Sequence, residues 1–196
     1  MEQPVTRTEV LDIAQYEKAR EGFRQEVLQL KSRRQLHVGQ NFNFIFENHT
    51  TVLYQIQEMM RVERIVDEDA IQHEIDTYNE LVPKNGALSA TLLMEYETPE
   101  EREVILPKLL GIENHVWLAV GDLPRAGAKF DTAQIGETRV SSVQYIIFPL
   151  EAAHREQWLD AAGDGTLRLV VDHPDYTAET KIPVEIAEAL AKDFSA

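Results

Sequence analysis

The sequence predicts an α+β fold, with a mixed, mainly antiparallel sheet and helices packed on it. Three observations lead there. Segments whose apolar residues recur every three or four positions are interspersed with segments of strict apolar–polar alternation. Their order is helices, a hairpin, two helices, then strands and helices mixed, without the regular alternation of a doubly wound parallel sheet. Composition fits a globular chain: 196 residues, 43% hydrophobic and 27% charged, with only 9 Gly and 8 Pro. No linker or composition shift divides it, so one domain is expected over 1–196, with an N-terminal helical segment (1–34) and an α+β core (35–196).

Thr6 and Glu9 have capping-box spacing, and Val10, Ile13, Tyr16, Phe23, Val27 and Leu30 then recur at mostly helical intervals to about Lys31. A break is expected near Ala14 or Gly22. Leu36 and Val38, then Phe42, Phe44 and Phe46, alternate with polar residues around Gly39-Gln40-Asn41, which is a hairpin with one buried face. Asn48 caps a helix whose stripe of Val52, Leu53, Ile56, Met59, Met60 and Glu63 runs to about Ile65, and Asp67 caps another carrying Ile71, Ile75, Tyr78 and Val82. A strand spans 87–97.

Thr98-Pro99-Glu100-Glu101 joins an N-cap, a first-turn proline and a capping-box glutamate, and Pro107 ends or kinks the helix it starts. Strands follow at 115–121 and 139–149, separated by an exposed excursion rich in Gly, Asp and Ala. A helix at 151–162, a turn at 163–165, a strand at 166–172 and an amphipathic helix at 183–194 complete the chain. There is no internal repeat.

Charge and composition exclude several functions. Residues 1–40 hold seven Lys or Arg and six Asp or Glu, whereas residues 41–196 hold twelve and twenty-eight, within a net charge of −15. Such a surface repels phosphate backbones and anionic membranes, so neither nucleic acid nor membrane is expected as a partner. The one basic cluster, Lys31, Arg33 and Arg34, falls where it offsets a helix C-terminal dipole. With no cysteine, the chain cannot build a disulfide, a thiol nucleophile or a cysteine-held iron–sulfur cluster of its own. A soluble cytoplasmic protein is expected, since no leader or bilayer-length apolar run is visible. Phosphate-cradling glycine loops, nucleophile elbows and His-Glu-x-x-His helices are absent from the sequence.

The densest polar chemistry lies on the helix pair 48–82. Gln55, Glu58 and Arg61 are three apart, while Asp69, His73, Asp76 and Glu80 follow at spacings of four, three and four. If the two faces meet, they enclose a carboxylate-rich pocket with one imidazole. Candidate metal ligands are then Glu58, Asp69, His73 and Asp76; in this all-N/O set iron, manganese or zinc is favoured, with Arg61 as an anion clamp. The plainer alternative is that Glu58 and Arg61 pair along the surface, that Asp67, Glu68 and Asp69 serve a helix N-terminus, and that Asp76 and Glu80 are solvated. Trp117, Trp158, Tyr145 and Phe148 are most simply core or core-edge aromatics.

The runs Phe46-Glu47-Asn48, Gln55-Ile56-Gln57-Glu58-Met59, Arg61-x-Glu63-Arg64-Ile65 and Ile71-Gln72-His73-Glu74-x-Asp76-x-Tyr78-Asn79 lead on to Leu88-Ser89-Ala90-Thr91-Leu92. With His115-Val116-Trp117, Ser142-Val143-Gln144-Tyr145 and Phe148-Pro149-Leu150, they resemble an uncharacterised bacterial family of about this length, labelled only as a domain of unknown function. The likeness covers nearly the whole chain and is least distinctive over 151–196. It implies genes beside those of rubrerythrin-like diiron proteins and heterodisulfide-reductase-like iron–sulfur proteins, hence an accessory in peroxide defence or electron transfer. Because the identifying residues are mostly polar, the resemblance also draws attention to Gln55, Glu58, Arg61, Glu63, His73, Glu74 and Tyr78 as candidate ligand-binding residues.

Three functions are therefore expected to compete. The first is an accessory that docks through its acidic surface on a rubrerythrin-like or iron–sulfur redox partner. The second is a metal-dependent enzyme or sensor using the helix pair, and the third is a small-molecule binding module using the same polar residues. Oligomeric state is left open by the sequence.

Overall fold

The computed structural model describes residues 3–195, so residues 1 and 2 of the expected N-terminal segment and residue 196 of the core lie outside it. Thr6 and Glu9 do form a capping box, but it closes only a single 3₁₀ turn, Arg7–Glu9. Helix α1 (Ile13–Ser32) starts afresh where the Asp12 carboxylate accepts from the Gln15 backbone N–H at 2.8 Å. The expected break therefore falls ahead of Ala14, and Gly22 lies inside an uninterrupted helix.

Strands β1 (Gln35–Val38) and β2 (Phe42–Phe46) form the expected hairpin. Its Gly39 has φ +69°, and a Cβ there would sit 2.5 Å from the Tyr176 hydroxyl, so both backbone conformation and space require glycine. Asn48 caps α2 (His49–Glu63) by accepting from the Thr51 N–H, and Asp67 caps α3 (Glu68–Tyr78) by accepting from the Asp69 and Ala70 N–H groups. Strand β3 (Leu88–Met94) is followed by α4 (Pro99–Ile105), which the Thr98–Glu101 capping box starts and which stops short of Pro107.

The rest of the chain comprises β4 (Val116–Ala119), β5 (Ala126–Gly127), β6 (Lys129–Phe130), β7 (Val143–Phe148), α5 (Ala152–Gly163), β8 (Arg168–His173), β9 (Tyr176–Lys181) and α6 (Val184–Ala191). The fold is α+β, and its strands divide into two antiparallel sheets. The first has the order β1-β2-β3-β7-β6, and the second β5-β4-β8-β9. Strand β9 is invisible in the sequence because Tyr-Thr-Ala-Glu-Thr-Lys offers no apolar stripe; it is an edge strand whose residues alternate only between half-buried and exposed. Register with β8, from Arg168 opposite Lys181 to His173 opposite Tyr176, holds it in place. The Tyr176 hydroxyl also donates to the Val38 carbonyl at 2.6 Å, and its ring stacks on Phe42, which ties the second sheet to the edge of the first.

Alternation along the first sheet decides what each face does. Phe42, Phe44, Phe46, Leu88, Ala90, Leu92, Ile146 and Phe148 share one apolar core with Val116, Leu118, Leu169 and Val171 of the second sheet and with Trp158 and Leu190 of α5 and α6. The opposite face carries Asn43, Ile45, Ser89, Thr91, Leu93, Val143, Tyr145 and Ile147. Above that face lies a second cluster, in which Val52, Ile56 and Met60 of α2 meet Ile71 and Ile75 of α3, with Val5, Val10, Leu81 and Val82. Tyr78 and Tyr145 pack against it.

Candidate functional site

The helix pair meets through its apolar stripes, not through its polar faces, and this separates the residues singled out from the sequence. Glu58 turns toward α1. Its carboxylate accepts from the Tyr16 hydroxyl at 2.7 Å and from Arg20 Nε and Nη2 at 2.7 and 3.0 Å, with Arg61 Nη2 3.6 Å away. The Arg20 hydrogen bonds, helped by Tyr16 and opposed by burial, hold the Glu58 carboxyl down at about 2. Burial and the bond to Glu58 push the Tyr16 phenol up. Arg61 also reaches Glu17 at 3.5 Å. These groups make a charged clamp between α1 and α2.

Gln55 is half-buried on α2, whereas Glu63, Asp69, His73 and Asp76 are exposed. The Asp76 carboxylate accepts from Gln72 Nε2 at 2.8 Å on its own helix face. Among the described residues, no group of three or more His, Asp or Glu side chains is placed to hold a metal ion. The remaining two candidates, Glu74 and Tyr78, do come together, at the C-terminal end of α3.

There they line a cavity of about 400 Å³ with Phe130 of β6 and Asp131 next to it, Tyr145 and Ile147 of β7, and Leu81. Glu80 and Lys129 stand at its margin. The size suits a small organic ligand. Tyr145 occupies an outward position of β7, directly opposite Thr91 of β3, so the sheet itself fixes one phenol while the end of α3 supplies the other. The two phenols lie close enough for each to shift the other's acidity. Burial first, then the Tyr145 phenol and the Glu74 charge, push Tyr78 up to about 12. Burial and then the Glu47 charge raise Tyr145, while the neighbouring Tyr78 phenol acts the other way. Both phenols therefore keep their protons at neutral pH and act as neutral donors and acceptors.

Behind Tyr145 lies Glu47, only 1% exposed. Its carboxylate accepts from the hydroxyls of Thr51 on α2 and, at 2.6 Å, of Thr91 on β3. The nearby Arg34 guanidinium donates to the Glu47 backbone carbonyl at 3.0 Å, but its ion pair is with buried Asp193. Among the described residues no cation pairs with the Glu47 carboxylate, which takes its side-chain hydrogen bonds from these two hydroxyls and bears on the cavity by raising Tyr145. Ser89, buried in the next row of the sheet, has a hydroxyl without a hydrogen-bond partner and lines a hollow of about 60 Å³ that shares Glu80 and Ile147 with the larger cavity. The cavity thus offers aromatic faces, phenol hydroxyls and a surplus of negative charge.

Sequence reasoning found Glu74 and Tyr78 but missed Phe130, Tyr145 and Glu47. Tyr145 reads as a core or core-edge aromatic, and Phe130 lies in what reads as a loop excursion. The available signal was the run Ser142-Val143-Gln144-Tyr145, together with Glu47 between two identifying residues.

Architecture and cavity together define an α+β protein of two antiparallel sheets, with a ligand-sized pocket on the helix-covered face of one of them. The chain belongs to the DUF3501 family, described as proteins of unknown function, which it matches over residues 4–194. It is similar to a solved crystal structure of a novel protein of unknown function from Burkholderia pseudomallei, 34% identical with a TM-score of 0.88, covering 98% of this chain and 100% of that one. No curated protein matches the chain. Among the described residues, no helix is long and apolar enough to cross a membrane.

Proposed function

We propose that this protein is a binding module for a small organic cation, held in the cavity between the end of α3 and strands β6 and β7. The observation that carries this reading is the pairing of two neutral phenols and the Phe130 ring with an excess of carboxylate. Glu74, Glu80 and Asp131 surround the cavity against the single Lys129, and buried Glu47 adds charge from behind. Aromatic faces attract cations through the ring quadrupole, by roughly 0.5 to 2 kcal/mol each depending on desolvation. A neutral or anionic ligand gains nothing from this field.

Thermal unfolding with a panel of primary to quaternary ammonium compounds tests the reading. A ligand present at about 100 times its Kd stabilises by about 2.7 kcal/mol, which for a chain of this size raises Tm by roughly 5 to 10 °C. The rise is expected for wild type and lost in Tyr145→Ala. A panel without effect on wild type overturns the proposal.

A second reading, an accessory docking on a rubrerythrin-like or iron–sulfur redox partner, draws on the net charge of −15. Contact through such a surface weakens steeply with salt. Pull-down at low and high ionic strength tests it, and failure to retain a redox protein at low salt removes it.

A further inference from the structure

Independently of the phenol-lined pocket, we infer that the groove between α4 and the 133–142 segment binds a small molecule through an oxyanion, either a phosphate or a carboxylate group. Of the twelve arginines, all among the described residues, Arg7, Arg20, Arg34, Arg61, Arg125 and Arg168 pair with a carboxylate, and Arg24, Arg33, Arg64 and Arg155 stand apart from one another without doing so. Among the described residues Arg102 and Arg139 form no ion pair, and both line one cavity of about 540 Å³. Thr138, Ser141 and Ser142 add three hydroxyls to the same wall. Two guanidinium groups and three hydroxyls around one cavity supply the donor types that phosphate and carboxylate require, because the planar N–H fork of arginine matches the spacing of their oxygens.

The groove holds these donors in place. Arg102 Nη1 donates to the Tyr96 carbonyl at 2.6 Å, which fixes the guanidinium plane and leaves its other N–H groups available. The Ser141 Oγ accepts from the Val143 N–H at 3.2 Å, so its own proton is free to be donated. Backbone bonds from Val140 N–H to the Leu106 carbonyl and from Met94 N–H to the Ser142 carbonyl anchor the segment to α4 and to β3. Within it, Gly136 N–H donates to the Arg139 carbonyl at 3.0 Å, and a Cβ on Gly136 would lie 2.9 Å from that oxygen, so the turn presenting Arg139 depends on glycine. Arg102 and Ser142 also line an adjoining cavity of about 730 Å³ that carries Glu95 and Glu97. The oxyanion end of the ligand therefore belongs beside Arg139, on the side away from those carboxylates, with Glu103 at the rim.

The experiment is calorimetric titration of the intact chain with inorganic phosphate and, separately, with succinate, at an ionic strength held constant by sodium chloride. Saturable binding of at least one anion is expected, and whichever binds assigns the group. Arg139 is exposed, so Arg139→Ala should leave thermal unfolding unchanged while weakening binding by about tenfold or more. Ser141→Ala should weaken it a few-fold. Tyr145→Ala should leave it unchanged, so failure of the phenol-lined pocket and failure of this groove are told apart. The inference is overturned if neither anion binds beyond the chloride background, or if Arg139→Ala and Arg102→Gln both bind as wild type does.

Discussion

The two faces of the first sheet are built on opposite principles. Toward the second sheet, Phe42, Phe44, Phe46, Leu88, Leu92 and Phe148 are all fully buried, and dispersion and apolar burial hold that face together. Toward the helices, the same strands present Asn43, Ser89 and Thr91, with Glu47 at the strand end, all buried as well, and a half-buried Tyr145. Burying polar groups costs free energy unless each is satisfied, and the Ser89 hydroxyl is not. One face is therefore a core of ordinary economy. The other retains a carboxylate and phenols that stability alone does not call for, and that is where the ligand-sized cavity lies.

Mutations can break this contrast from either side. The largest effect is expected on the apolar face, where Phe44→Ala removes a ring with no exposed surface and should lower unfolding free energy by about 3 to 5 kcal/mol in urea titrations. A smaller loss would mean that the face is loosely packed and the contrast overstated.

The charged clamp between α1 and α2 should contribute less and should depend on pH. Glu58 is held at about 2 against an ordinary 4.5, so its contribution is full above pH 4.5 and disappears as pH falls through 2. Solvent screening at this half-buried pair keeps that contribution to about 1 kcal/mol. The stability gap between wild type and Glu58→Gln should therefore be constant from pH 7 down to about pH 5 and close toward pH 2. A gap that persists at pH 2 would assign the loss to packing and not to charge.

Much of the fold was legible because it is local. Asn48, Asp67 and Thr98-Pro99 start helices through bonds to their own next turns, and the alternating Phe42, Phe44 and Phe46 mark a strand by period alone. The division into two sheets was not, since it depends on which distant strands pair, and β9 carries no apolar stripe to announce it. The site was half legible for the same reason. Glu74 and Tyr78 share a helix, but their neighbours Phe130 and Tyr145 come from remote strands. Equally, spacing on α2 correctly suggests that Glu58 and Arg61 meet, yet cannot show that Tyr16 and Arg20 of α1 claim the carboxylate. The 121–138 excursion, together with the residues just after it, provides walls for both the phenol-lined cavity and the arginine groove.

The central claim is that the polar face of the sheet was kept for a positively charged guest. It is tested most directly by calorimetric titration of wild type and Glu47→Gln with tetramethylammonium and with its uncharged counterpart of similar shape, tert-butanol. The account predicts saturable binding of the ammonium ion alone, weakened several-fold when the buried charge behind Tyr145 is removed. Equal affinity for both molecules, or an ammonium affinity indifferent to Glu47→Gln, would contradict it.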